Sequence, residues 1–186
     1  MDDIIEIINY GQYTIKIHDE ESYEPSSLDN SSTYDKIFCA KNSTTRLGIK
    51  IFDNDNQIST CLIGATGGAT GMGPNTSTIH QDNYVICCSD SVFSLKIPEL
   101  TLTWQTKADD ATCFEIIEIK DGFIIHGELS ISKLDFHGNI IWQNTGRDIF
   151  LTEKGENDFT VTKDRIIAKD WDNNEYVFDF DGKTLK

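Results

Sequence analysis

The segment Gly64-Ala65-Thr66-Gly67-Gly68-Ala69-Thr70-Gly71-Met72-Gly73-Pro74 is the most unusual stretch of the chain by composition. A glycine-rich loop can turn its backbone N–H groups toward a phosphate. The phosphate-binding forms, however, need a Lys-Ser/Thr pair or an immediate helix. Here Pro74-Asn75-Thr76 follows, so the segment reads first as a connection between repeat units. Ligand contact through Gly67 and Gly71 is its functional alternative. Asp53, Asp55 and Gln57 have the opening spacing of a calcium loop, but Ile58 stands where that loop needs Gly and Gly64 where it needs Glu. A polar turn is the better reading, and no metal site is expected. Asp170, Trp171 and Asp172 stand in another acidic turn, and Trp171 between two carboxylates is expected to be exposed, a natural anchor for a protein partner.

The four histidines have no short ligand spacing. His80 and His126 fall in strands of neighbouring units, where an enzyme or small-ligand site could draw on them together with the glycine-rich loop. No G-x-S-x-G elbow occurs, and the cysteines have no local protease signature, so no catalytic residue is assigned. Cys39, Cys61, Cys87, Cys88 and Cys113 form an odd set without C-x-x-C spacing, which suits buried free thiols in a reducing compartment. Adjacent Cys87 and Cys88 would point to opposite faces of one strand. Asp2, Asp3 and Glu6 stand where a signal peptide would be basic, so a cytoplasmic location is expected.

The elements that position these residues are strands. Asp121–Gln143 reads as three strands around two tight turns: Phe123–His126, Ser130–Phe136 and Ile140–Trp142, punctuated by Gly127-Glu128 and His137-Gly138-Asn139. Four such units begin at Asp35, Asp82, Asp121 and Asp164, spaced 47, 39 and 43 residues apart. A further strand candidate precedes each of the last three, at 76–81, 113–120 and 158–163. Roughly four short strands per 40–45 residues is the period of β-propeller blades. One domain over 1–186 is therefore expected, with an N-terminal hairpin at 1–18 and units at 34–63, 76–105, 113–143 and 158–186. The Ile- and Tyr-rich N-terminal strands are expected to pair with the short fourth unit and close a ring. The competing all-β arrangements are a β-sandwich or an irregular barrel.

The run LDFHGNIIW at 134–142, echoed by VFDFDGKTL at 177–185, resembles the blade signature of quinoprotein-like, WD40-like and related β-propellers. In those blades a strand ends in an Asp-x-x-Gly turn and the next strand carries Trp. Trp104 and Trp142 hold corresponding late-strand positions. The second unit departs from the pattern with Pro98-Glu99 at the turn, and the first has no Trp. The resemblance implies the fold and gives no ground to expect a cofactor.

A net charge of −15 opposes a nucleic-acid face or attachment to an anionic membrane, because both need clustered Lys and Arg. It favours a basic protein partner. The expected function is a non-enzymatic protein-binding domain of inhibitor or immunity type, with a small-ligand or enzymatic site at the central mouth as the alternative.

Overall fold

The structure is a computed structural model, and it describes residues 4–25, 27–155 and 158–186. Four sheets follow one another along the chain, the first mixed and the other three antiparallel. The second comprises β6 (Ser77–His80), β7 (Asn83–Cys88), β8 (Ser91–Lys96) and β9 (Thr101–Lys107), paired in chain order. The third repeats that meander with β10 (Cys113–Ile119), β11 (Gly122–Gly127), β12 (Ser130–Leu134) and β13 (Ile140–Thr145). The fourth has β14 (Phe159–Val161), β15 (Ile166–Lys169) and β16 (Glu175–Phe178), extended by a bridge from Phe178 to Thr184.

The first sheet corrects two expectations. β1 (Ile4–Tyr10) and β2 (Tyr13–Asp19) do form a hairpin, but it does not reach the fourth unit; β2 pairs with β4 (Thr45–Asp53). Ile15 and Ile17 stand opposite Ile51 and Ile49 there, and all four are buried, so the hairpin's apolar face finds its cover within the first sheet. The second correction concerns β3 (Lys36–Cys39). It crosses to the far edge and pairs in parallel with β5 (Asn56–Ala65), giving the order β1-β2-β4-β5-β3.

Successive sheets bury one another's faces. Ile15, Ile17, Ile49 and Ile63 meet Tyr84, Ile86, Cys88, Phe93 and Leu95 of the second sheet. That sheet's other face, with Val85, Cys87 and Val92, meets Phe123, Ile125 and Leu134. Ile124 and Ile131 of the third sheet then meet Ile166, Ala168 and Phe178 of the fourth. Alternation makes this possible: adjacent Cys87 and Cys88 lie in two different cores. None of the three cores joins the fourth sheet to the first, so the described residues form an open arc. At its first end the connection 20–44 folds over the outward face. Asp35 and Thr60 exchange hydrogen bonds, Tyr34 packs over Gly48, and Arg46 donates to the Glu21 and Lys41 carbonyls. Terminal units of a stacked array need such a cover.

A repeated clamp sets the spacing of the later sheets. Trp104 Nε1 donates to the Phe136 carbonyl at 3.1 Å, and Trp142 Nε1 to the Phe180 carbonyl at 3.1 Å. In each turn the leading carboxylate caps two backbone N–H groups: Asp135 those of His137 and Asn139, Asp179 those of Asp181 and Lys183. Where the first sheet has no Trp, Ser59 Oγ donates to the Pro98 carbonyl and Lys36 Nζ to that of Glu99.

Cys61, Cys87, Cys88 and Cys113 are buried and free, whereas Cys39 is half-buried. Burial pushes the Cys61 and Cys88 thiols up to about 12, and those of Cys87 and Cys113 upward as well. The thiolate is the reactive form. In mildly alkaline solution, a thiol reagent is therefore expected to label Cys39 alone in the native protein and all five cysteines after denaturation. Mass spectrometry of the adducts checks this; equal native labelling of Cys87 would refute it.

Candidate functional site

An antiparallel arc has two ends. One carries the turns between first and second and between third and fourth strands of the second and third sheets, with the β1–β2 and β4–β5 turns of the first. The other carries the second-to-third turns and the connections between sheets. Most of the residues singled out from sequence lie at this second end, where hydrogen bonds form a belt across the sheets. Gly68 N donates to Ala111 O, Cys113 N to Ser89 O, and Glu128 N to Thr112 O. Phe150 N donates to Glu128 O, and Trp171 N to Ile149 O. Asp109 stitches the middle of this belt. Its buried carboxylate accepts from the backbone of Ala111, Thr112, Leu129 and Ser130 and from Ser130 Oγ.

On this belt Trp171 is 46% exposed and Leu129 39%. Asp110, Asp148 and Asp172 are exposed around them. Trp171 is therefore exposed as the sequence suggested, with Asp172 exposed beside it, while Leu129, Asp110 and Asp148 were not singled out from sequence. The repeat alignment carried the missing signal, because Leu129 occupies the same second-to-third turn as Trp171.

Asp170 is a correction: it is 0% exposed and cannot meet a partner. It accepts from Asn174 N at 2.8 Å, from Asn174 Nδ2 and from Tyr176 OH at 2.8 Å. Burial pushes this acid up, but those bonds outweigh it and hold it below its ordinary value. It shapes the turn that presents Trp171. Gly67 is a second correction, for a Cβ there would collide with the Ala111 carbonyl and with Asp90. Its backbone is wedged between neighbouring connections, not open to a ligand. Gly71 has open space around it and lines a cavity of about 350 Å³ with Asp19, Glu21, Thr70 and Met72.

The histidines do not converge. His126 is buried, with Nε2 donating to Phe150 O at 2.7 Å and Nδ1 3.1 Å from Glu115 Oε1. The His126 bond, opposed by burial and helped by Asn75, holds Glu115 below its ordinary value. That is an internal ion-pair geometry, which corrects the expectation of a ligand-contacting His126. His80 sits at the opposite end of the arc, Nδ1 3.0 Å from Glu118 Oε1 and its ring stacked on Phe136 at 3.9 Å. It bridges the second and third sheets and is distant in the fold from the glycine-rich loop. Asp53-Asn54-Asp55-Asn56 is the turn between β4 and β5, with Asn54 at a φ of 54°.

No family model matches the chain, and no curated protein matches it in sequence. Solved structures do. BamB from Moraxella catarrhalis is similar over 97% of this chain and 62% of that one, with a TM-score of 0.51 at 15% identity. The computationally designed Ika8 protein is similar over 98% of this chain and 73% of that one, with a TM-score of 0.50 at 9% identity. The WD40 domain of Neurospora crassa Pan2 covers 61% of this chain and 37% of its own, with a TM-score of 0.48 at 19% identity. The fold is a β-propeller-like, all-β repeat fold, and at these identities the likeness is one of fold. The chain spans 62% of the length of BamB.

Proposed function

We propose that the protein is a binding domain that takes a basic protein partner on the belt carrying Leu129 and Trp171. One observation carries this reading: an exposed Trp and an exposed Leu share a rigid, cross-stitched surface with the exposed carboxylates of Asp110, Asp148 and Asp172. Large side chains held by a fixed backbone make good anchors because little entropy is lost on contact. The net charge of −15 would speed the arrival of a basic partner and repel nucleic acid and anionic membranes. In its finer form the domain is an inhibitor of immunity type, acting by occlusion in the cytoplasm, where free thiols persist.

The test compares the wild-type chain with a Trp171→Ala, Asp172→Asn variant as baits in matched extracts. A basic protein should be retained by wild type at low salt, released as salt rises, and held about tenfold more weakly by the variant. Retention that ignores both salt and the substitutions sinks the reading.

A further inference from the structure

The internal repeat exposes a slot that one junction fills and the next leaves open. Aligned on Asp82 and Asp121, His80 on β6 corresponds to Ile119 on β10, two residues before each Asp. Between the second and third sheets the His80 ring stacks on Phe136 at 3.9 Å and 6°. Its edge meets Phe123 at 5.8 Å and 90°, and Glu118 holds its Nδ1 at 3.0 Å.

Between the third and fourth sheets the same places are held by smaller, apolar groups. Ile119 replaces His80, Ile166 replaces Phe123, and Val161 replaces Glu118, while Phe180 remains where Phe136 stood. The aromatic wall is kept, and the ring that would stack on it is gone. A cleft of about 590 Å³ results, lined by Ile117, Ile119, Val161 and Phe180, with Lys120 and Lys163 beside them. That volume lies in the range of small-molecule sites.

Charge at the mouth narrows the ligand. Glu118 and Asp121 also line the cleft, but Glu118 is taken by His80, and Asp121 pairs with Lys133 at 2.9 Å. Lys120 and Lys163 are exposed, and neither is bonded to another described residue. In a chain with 31 Asp and Glu against 16 Lys and Arg, two exposed ammonium groups at one apolar cleft, matching its two carboxylates in number, are a local relief of the negative charge. We propose that this cleft binds a small aromatic carboxylate, its ring seated on Phe180 and its anion between Lys120 and Lys163. The cleft lies at the end of the strands opposite the partner surface and is independent of it.

The probe is 2-naphthoate, titrated into the full chain by calorimetry, with 2-naphthylmethanol as the same ring without charge. Saturable one-site binding of the acid is expected, about tenfold tighter than the alcohol, a difference suited to a desolvated charge contact. Lys120→Gln with Lys163→Gln should bring the acid down to the alcohol. Ile119→His with Val161→Glu rebuilds the His80–Glu118 arrangement in the open slot. It should weaken both probes about tenfold or more while thermal unfolding stays near that of wild type. Absence of saturation at millimolar acid, or binding that survives either pair of substitutions unchanged, overturns the proposal. The lysine pair is exposed, so that arm reads out even where the rebuilt slot fails to fold.

Discussion

Asp109→Ala is expected to lower the unfolding free energy by about 4 kcal/mol or more, among the largest losses available to a polar residue here. The residue is 2% exposed and lies in the connection between the second and third sheets. Its Oδ1 accepts from Ala111 N at 2.7 Å and Thr112 N at 3.1 Å. Its Oδ2 accepts from Leu129 N at 3.0 Å, Ser130 N at 2.9 Å and Ser130 Oγ at 2.8 Å. Truncation strands several buried donors at once, and each buried unpartnered donor costs about 1–3 kcal/mol. Gly127 is tied to the same feature, for a Cβ there would collide with Asp109 Oδ2 and fill the space the carboxylate needs. Asp109→Asn keeps the shape but replaces one acceptor oxygen with a donor, so an intermediate loss of about 2–3 kcal/mol is expected. Urea titrations measure both, with an unchanged slope showing that the unfolded state is not the cause. A loss under about 1 kcal/mol for Asp109→Ala would mean that water satisfies these donors and that the belt is not stitched here.

The contrast between Asp170 and Asp172 shows where the sequence was legible and where it was not. The strands were plain, because short apolar runs such as Phe123–His126 recur between turn residues. The Asp-x-x-Gly turns and the paired Trp104 and Trp142 were plain for the same reason: each repeats. What repeats only in three dimensions was hidden. Asp170 and Asp172 look equivalent in one acidic turn, yet Asp170 is enclosed by Asn174 and Tyr176 while Asp172 is exposed. Nothing in the spacing says which carboxylate faces inward, since that depends on how the turn curls against Ile149. β3 was hidden for another reason. Four residues, Lys36–Cys39, alternate equally well in a hairpin or along a parallel edge, and the choice falls to the long connection that folds across the first sheet. His126 reads as a strand histidine near a turn. Only the fold reveals that the Phe150 carbonyl and Glu115 enclose it.

The clamp between Trp104 and the His137-Gly138-Asn139 turn yields the second large effect, and it is one of coupling. Gly138 has a φ of +82°, a region that costs a residue with a Cβ about 1–2 kcal/mol. A Cβ at that position would also lie 2.6 Å from Cδ2 and Cε3 of Trp104 and 2.9 Å from Thr106 Oγ1. The indole cannot retreat freely, because its Nε1 is bonded to the Phe136 carbonyl and Thr106 Oγ1 donates to that of Gly138 at 2.6 Å. Strain and overpacking together put Gly138→Ala at about 3–5 kcal/mol. Trp104→Ala alone should cost about 3 kcal/mol, the low end for a large aromatic because Trp104 is only half-buried. With the indole gone, the added methyl meets only Thr106 Oγ1, and Gly138→Ala should cost the backbone strain and that one contact, about 1–2 kcal/mol. The double variant should then fall short of the sum of the single losses by about 2 kcal/mol or more. Gly155 supplies the control: its φ is +61° with no described residue within 4 Å of an added Cβ, so Gly155→Ala should show strain alone. Additive losses at Trp104 and Gly138 would mean that the neighbouring sheets are held by their apolar faces alone and that the clamp is incidental. A strong shortfall would instead assign the spacing between sheets, and with it the placement of Leu129 and Trp171 on one surface, to the indole–glycine contact.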